Sequence, residues 1–282
     1  MVISPGPGFR TLGRMASTPP RDPDGPDEEP RLVKSAQRTI QLMEMLGAAR
    51  GPITVAELRE RTGYPRSSLH QLLHTLIAMG WVEQTPDGSA VGVGSRALLC
   101  GTAYLDRDPA LPYAIRTLEL IGDATGYTTH YARLDGANVM YLATRETIEP
   151  RRATSRVGRE LPAHATALGK ILLAERSAGE LAELLPEPPL PALTEHTITD
   201  LGELLADLEL TRERGHSLER EQNTPGLGCV AVAVSYRIPA TDAISCSLPI
   251  DAATDEELER VAGVIHEHAA KLAARLRAEG IR

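Results

Sequence analysis

Three things are scarce in this 282-residue chain, and each scarcity closes a class of function. Cysteine occurs at Cys100, Cys229 and Cys246, far apart, with no CxxC pair and no Cys/His cluster. A disulfide framework and a structural zinc site are thereby disfavoured. The aromatic residues are one Trp, seven Tyr and one Phe, too few for a protein that reads single strands by stacking on their bases. Apolar runs are short: nothing approaches the roughly 20 residues of a membrane span, and no apolar stretch follows the basic residues near the N-terminus. The expectation is no membrane partner and a cytoplasmic location.

What is present fits an ordinary globular protein, with 42% hydrophobic and 24% charged residues and a length that suits two domains. The net charge of −8 is unevenly spread. Residues 1–30 hold 3 basic and 5 acidic side chains, residues 31–100 hold 8 and 5, and residues 101–282 hold 19 and 28. A basic excess is confined to one segment, as contact with phosphates requires. The excess is modest, which points to two copies acting on one DNA site.

That basic segment contains Thr54–Gly80, which reads as two short helices joined by a tight turn. Thr54 suits an N-cap, Gly63 a helix stop and Pro65 the start of the next helix. Leu69, Leu72, Leu73, Leu76 and Ile77 then form one apolar stripe at helical spacing. Opposite it lie Ser67, Gln71 and His74, flanked by His70 and Thr75. An outward face of small and hydrogen-bonding residues without a carboxylate can lie against DNA, so this is read as a recognition helix. Its bland alternative is a helical hairpin with a solvated polar face.

Around this core, residues 1–30 contain seven Pro and four Gly and are expected to be a disordered tail, with Met15 as an alternative start. A helix is predicted over Leu32–Ala49 with Ala36, Ile40, Met43 and Leu46 inward and Lys34, Ser35 and Arg38 on an outer side that either clamps a phosphate or is a solvated basic face. Thr85-Pro86-Asp87-Gly88 makes the turn of a hairpin, the wing of a winged helix, spanning with the helices residues 31–94. A linker helix follows over 95–110. Residues 111–282 alternate helices and strands: a helix near Tyr113–Thr125 presenting Ile115, Leu118 and Ile121, and strands at 127–134, 138–143, 151–157, 216–221, 229–236 and 243–249. Further helices start near Thr166, Ser177, Thr199 and Thr254. The fold class is α+β, one sheet covered by helices.

In the strand Cys229–Tyr236, Val230, Val232, Val234 and Tyr236 alternate with Cys229, Ala231, Ala233 and Ser235. The bulky face fills a layer; the small face leaves room. Ser245 and Ser247 share one face of the next strand, where they either hydrogen-bond a polar ligand or face water on a half-exposed sheet. His164–Lys170 opens a helix whose N-terminal amides favour a carboxylate, or else is plainly capped with Lys170 in water.

Three stretches carry a family resemblance: Leu32–Gly101 with its Gly-Tyr-Pro-Arg-Ser-Ser-Leu-His-Gln-Leu-Leu run, Ser155–Ala174 (SRVGRELPAHATALGKILLA), and Leu193–Val234 with HTITD and EQNTPGLGCVAVAV. In these the chain resembles the IclR-family transcriptional regulators. The resemblance implies an N-terminal winged helix-turn-helix and a C-terminal GAF-like α/β effector domain. It implies double-stranded operator DNA and a small-molecule effector as partners, an organic acid or aromatic catabolite, with no cofactor and no metal. It also implies a homodimer or a tetramer built as a dimer of dimers, acting more often as a repressor than as an activator. Carried over by position, Arg66, Ser67, Ser68, His70 and Gln71 face DNA, with Ser35 and Arg38 on the backbone. Ala167, Leu168, Glu219, Cys229, Ser245 and Ser247 line the effector pocket. Relatives often have Arg where Gln71 stands, Asp near Glu219, and an acidic-basic pair where this chain has Ala143 and Thr144.

Two other classes fit less well. An enzyme would use Cys229 or Ser245 as nucleophile and His164 or His216 as base, but no histidine is near Cys229 in sequence. A metal sensor would use His70 with His74, or His266 with His268; the second pair is too close to share a helical face.

Overall fold

The computed structural model describes residues 32–49, 51–146 and 157–282. The tail expected for residues 1–30, and nearly all of the strand expected at Arg151–Val157, lie outside them. The chain divides into two units between Arg96 and Ala97.

In the first unit, helix α1 (Lys34–Ala48) is followed by strand β1 (Ile53–Thr54), helices α2 (Val55–Thr62) and α3 (Arg66–Ala78), and strands β2 (Val82–Gln84) and β3 (Ala90–Val93). The Thr54 hydroxyl accepts from the Glu57 amide at 3.2 Å and opens α2. Gly63, at φ 64°, closes it in the left-handed conformation. The three strands pair antiparallel in the order β1-β3-β2; β1 is too short to announce itself by alternation. Leu42, Leu46, Leu58, Leu69, Leu73, Leu76, Val82 and Val91 make the buried core. One expectation fails: Ala36 and Ile40 are exposed, and α1 instead buries Leu42 and Leu46. Its first turns have no facing layer among the described residues.

The second unit is one six-stranded antiparallel sheet between two helical layers. Helix α4 (Ser95–Asp106) leads into it from the first unit, and α5 (Leu111–Thr125) follows. The strands are β4 (Thr128–Asp135), β5 (Asn138–Arg145), β6 (Glu160–Pro162), β7 (Ser217–Arg220), β8 (Leu227–Ala233) and β9 (Asp242–Pro249), in the order β6-β5-β4-β9-β8-β7. Between β6 and β7 come a 3₁₀ turn (Ala163–Ala165) and helices α6 (Ala167–Ala174), α7 (Ala178–Leu184) and α8 (Leu201–Arg214); α9 (Asp255–Ala278) ends the unit. The capping box expected at Ser177 and Glu180 is present. Asp200, not Thr199, caps α8, its carboxylate accepting from the Glu203 amide at 2.9 Å.

Period-two alternation gives the sheet two unlike faces. One carries Tyr131, Val230, Val232, Ile244, Cys246 and Leu248 against the apolar stripes of α5 and α9. On α5 that stripe is Leu111, Ala114, Leu118 and Ile121; Ile115 is exposed, lying about 100° round the helix from Ala114. The other face carries Ala132, Ala231, Ala233 and Ala243 with Val139 and Tyr141, beneath α6 and α8. Helix α6 approaches closely because residue 169 is glycine: a Cβ there would lie 2.1 Å from the Ala163 carbonyl oxygen.

Candidate functional site

In the first unit the outward side of α3 is built as its sequence predicts. Arg66, Ser67, His70, Gln71 and His74 are exposed while Leu69, Leu73 and Leu76 are buried. No side chain caps the start of α3, so its first amides and positive dipole end are open to an anion. Ser68 is different: it is half-buried and its hydroxyl accepts from the Arg38 guanidinium at 3.2 Å. Arg38 also lies over the Tyr64 ring, 5.0 Å from its centroid. Arg38 is therefore held between α1 and α3, half-buried. Ser35 is exposed one turn earlier.

In the second unit, the small-residue face of the sheet carries a row of polar side chains. Thr144 on β5 lies opposite His130 on β4, and its hydroxyl is 3.1 Å from His130 Nδ1. His130 Nε2 is 3.2 Å from the Ser247 hydroxyl on β9, and Ser247 is 3.2 Å from the Cys229 thiol on β8. Cys229 lies opposite Glu219 on β7 and hydrogen-bonds its carboxyl group. Five adjacent strands thus contribute one side chain each to a continuous polar row. Ser245, opposite His130 and opposite Ala231, sits beside it. It is 2% exposed, and its neighbours on that face are the small residues Ala132, Ala231 and Ala243.

Burial governs the chemistry of this row. It lowers the His130 imidazole to about 4, so the ring is neutral near pH 7. It pushes the Cys229 thiol up, with the neighbouring Glu219 charge adding to the effect. A neutral thiol is a poor nucleophile. Burial also raises Glu219, against the opposing Asn223 amide, which donates to its carboxylate at 2.9 Å. The Tyr141 hydroxyl is raised for the same reason, and its ring meets the His130 ring edge-on at 5.5 Å.

Ala167 and Leu168 are buried at the start of α6, where the Thr166 hydroxyl accepts from the Gly169 amide at 2.9 Å. The Ala167 carbonyl accepts from the Ser217 hydroxyl at 2.6 Å, which ties this helix start to β7. Lys170 is not in water: it is 0% exposed, 2.7 Å from Asp207 on α8 and 3.0 Å from the Gln222 side-chain oxygen. The reason is that α6 is enclosed on every side, so its one cation is paired rather than hydrated.

The structure brings together five of the six pocket residues named from sequence along β7, β8, β9 and the start of α6, with Leu168 buried in the same helix turn. Of the side chains beside them, Thr144 was singled out from sequence as a departure from relatives, whereas His130 and Tyr141 were not named. A strand sequence shows which residues alternate but not which strands are neighbours, and the role of His130 depends on β4 lying between β5 and β9. His164, by contrast, is occupied by the Pro191 carbonyl at 3.0 Å, and His216 lies 3.2 Å from Glu259. Among the described residues no group of three His, Cys, Asp or Glu side chains is placed to hold a metal. No helix among them is long and apolar enough to cross a membrane.

Comparisons with known proteins cover nearly the whole of both units. A family model described as Bacterial transcriptional regulator IclR C-terminal matches residues 102–274, and one described as IclR helix-turn-helix domain matches residues 35–86. The HTH-type transcriptional regulator XynR of Escherichia coli K12 is 31% identical over 228 residues, 80% of this chain and 90% of XynR. The Transcriptional repressor IclR of the same strain is 29% identical over 237 residues, 83% and 86% of the two chains. An IclR homolog from Microbacterium hydrocarbonoxydans, solved in complex with 4-hydroxybenzoate, matches with a TM-score of 0.72 at 24% identity. That match covers 86% of this chain and 99% of the other, and at this identity it is a likeness of fold.

Proposed function

The chain belongs to the IclR family of bacterial transcriptional regulators, and on that premise we propose how its own residues divide the work. It is a ligand-responsive DNA-binding regulator and not an enzyme. Residues 31–94 bind double-stranded operator DNA, 95–110 link, and 111–282 bind the effector. Arg66, Ser67, His70, Gln71 and His74 face the major groove. Ser35 and Arg38 contact the phosphate backbone, and Ser68 acts by fixing Arg38. The observation that carries this reading is the outward face of α3, which is exposed and free of carboxylates.

The effector is a small organic acid or aromatic catabolite. Its carboxylate is received by the Ala167 and Leu168 amides and the Ser245 hydroxyl, while its remaining polar atoms meet Ser247, Cys229 and Glu219. Support comes from the polar row on a face of small residues. The regulator acts as a repressor in the cytoplasm. It works as a homodimer or as a tetramer made of two dimers. Leu98 and Leu99 on α4 are 69% and 64% exposed, and Leu32, Val33 and Ile40 at the start of α1 are also exposed. Apolar residues of that kind favour association with a second copy, and two copies suit half-sites one helical turn apart.

Selection from a randomised duplex library tests the DNA reading. Wild-type protein is expected to select a near-palindromic site. Gln71→Arg is expected to change preference at one position per half-site, by about 1–3 kcal/mol of discrimination, with the fold intact. An identical selected sequence from both proteins would remove Gln71 from the base edges; no selected sequence from either would end the reading.

A further inference from the structure

Helix α4 is twelve residues long, about 18 Å at 1.5 Å per residue, and none of its residues is buried. Its two ends, by contrast, are held. At the start, the Ser95 amide donates to the Glu83 carboxylate at 3.2 Å and the Arg96 amide to the Gly80 carbonyl at 3.3 Å. Gly94, just before, lies so near that a Cβ would come within 2.4 Å of the Gly80 oxygen. At the other end, Asp108 follows the helix, its amide donating to the Leu105 carbonyl at 3.1 Å. One oxygen of its carboxylate accepts from the Ala110 amide at 2.9 Å, just ahead of α5; the other is 2.7 Å from Arg133.

Arg133 on β4 also donates twice to Asp242 on β9, at 2.6 and 2.9 Å. Asp242 accepts in addition from the Tyr131 hydroxyl at 2.7 Å and from the Tyr236 hydroxyl. Burial pushes the Asp242 carboxyl up, but the Arg133 bonds and charge and the two tyrosines outweigh it and hold it below its ordinary value. Asp108 is 8% and Asp242 0% exposed.

A buried charged cluster of this kind is a poor way to gain stability, because desolvation cancels much of the attraction. What it does provide is geometry. The planar guanidinium fork fixes three backbone segments against one another: the α4–α5 junction, β4 and β9. Those two strands carry His130, Ser245 and Ser247 on their opposite face. Since neighbouring residues on a strand point to opposite faces, β4 or β9 cannot shift to accommodate a ligand without moving Arg133 or Asp242.

We propose that Arg133, held between Asp108 and Asp242, is the positioning residue that couples the effector-binding face of the sheet to helix α4. This rests on the DNA- and effector-binding functions given above. Coupling of binding free energies is reciprocal, so DNA held by the first unit changes the strands of the second. No effector is needed to see it.

The test uses hydrogen exchange of the full chain with and without the duplex selected by the wild type. The main variant is Asp108→Asn, which keeps the side-chain oxygen that receives the Ala110 amide and leaves Arg133 paired one-to-one with Asp242. In the wild type, bound duplex is expected to alter exchange in β4 and β9. In Asp108→Asn, duplex affinity is expected to stay within about twofold, below the roughly fivefold at which coupling is appreciable, and the alteration in β4 and β9 to disappear. Arg133→Lys, which keeps the charge but loses the fork, is expected to behave the same way. Either variant retaining the full alteration, or a wild type that shows none, overturns the proposal. A wild type that selects no duplex at all removes the DNA-reading function instead, which is a separate failure.

Discussion

The two faces of the second unit's sheet are made by the same strands and differ in kind. On one face Tyr131, Val230, Val232, Ile244, Cys246 and Leu248 fill the space to α5 and α9. On the other, alanines alternate with single polar groups, and the side chains of α6 and α8 pack over them. A fully buried aliphatic side chain contributes about 1.5–3 kcal/mol, whereas an alanine with a hydroxyl neighbour contributes little and leaves space. Apolar side chains of the strands themselves dominate the first face, and the polar groups of the strands lie on the second.

The largest effect that would sharpen this contrast comes from the filled face. Ile244→Ala is expected to destabilise the second unit by about 2–5 kcal/mol, read by chemical denaturation, with little change in which duplex is selected. A loss below about 1 kcal/mol would mean that this face is not close-packed.

Next comes a proton on the polar face. Unfolded, a histidine takes up its proton near 6.5; folded, His130 does so only at about 4. Between these values the unfolded state binds more protons, so stability is intact above pH 6.5 and is lost as the pH falls toward 4. The loss is about 3 kcal/mol across that window. His130→Gln is expected to flatten the fall by about that amount whatever it does to stability at pH 7. Denaturation midpoints at several pH values check this, and an unchanged slope would mean that His130 is hydrated.

Smaller effects separate two neighbouring serines. Ser247→Ala removes a hydroxyl shared by His130 and Cys229 and is expected to cost about 1–3 kcal/mol, since both partners stay buried. Ser245→Ala is expected to change stability by less than about 1 kcal/mol in the same denaturation experiment. Equal costs for the two would mean that the Ser245 hydroxyl is bonded within the sheet as firmly as that of Ser247.

The contrast also shows what can be read from a sequence. The valine–alanine alternation of β8 assigns its two faces directly, and the Leu69–Ile77 stripe assigns the two sides of α3. Caps at Thr54, Ser177 and Thr254 are local, and each is where its residue type predicts. What local pattern cannot supply is strand order. His130 and Ser247 are 117 residues apart in the chain, so the polar row exists only once β4 and β9 pair. A hydrated Lys170 stayed open as an alternative for a related reason: amphipathic spacing says nothing about whether a second helical layer, here α8, covers the polar side.

Gly169 has a consequence for how such a pocket can diversify. Because α6 rests on the 3₁₀ turn backbone to backbone, any side chain at 169 would lift the helix and carry the Ala167 and Leu168 amides away with it. The backbone at the start of α6 is thereby held in place. Change is left to the strands, where residues 144, 130, 247, 229 and 219 come from five separate stretches of chain and can be replaced one at a time. A face arranged in this way resembles a lock with a fixed keyway and five independent tumblers: its polar pattern can change one strand at a time, without rebuilding the helix above it.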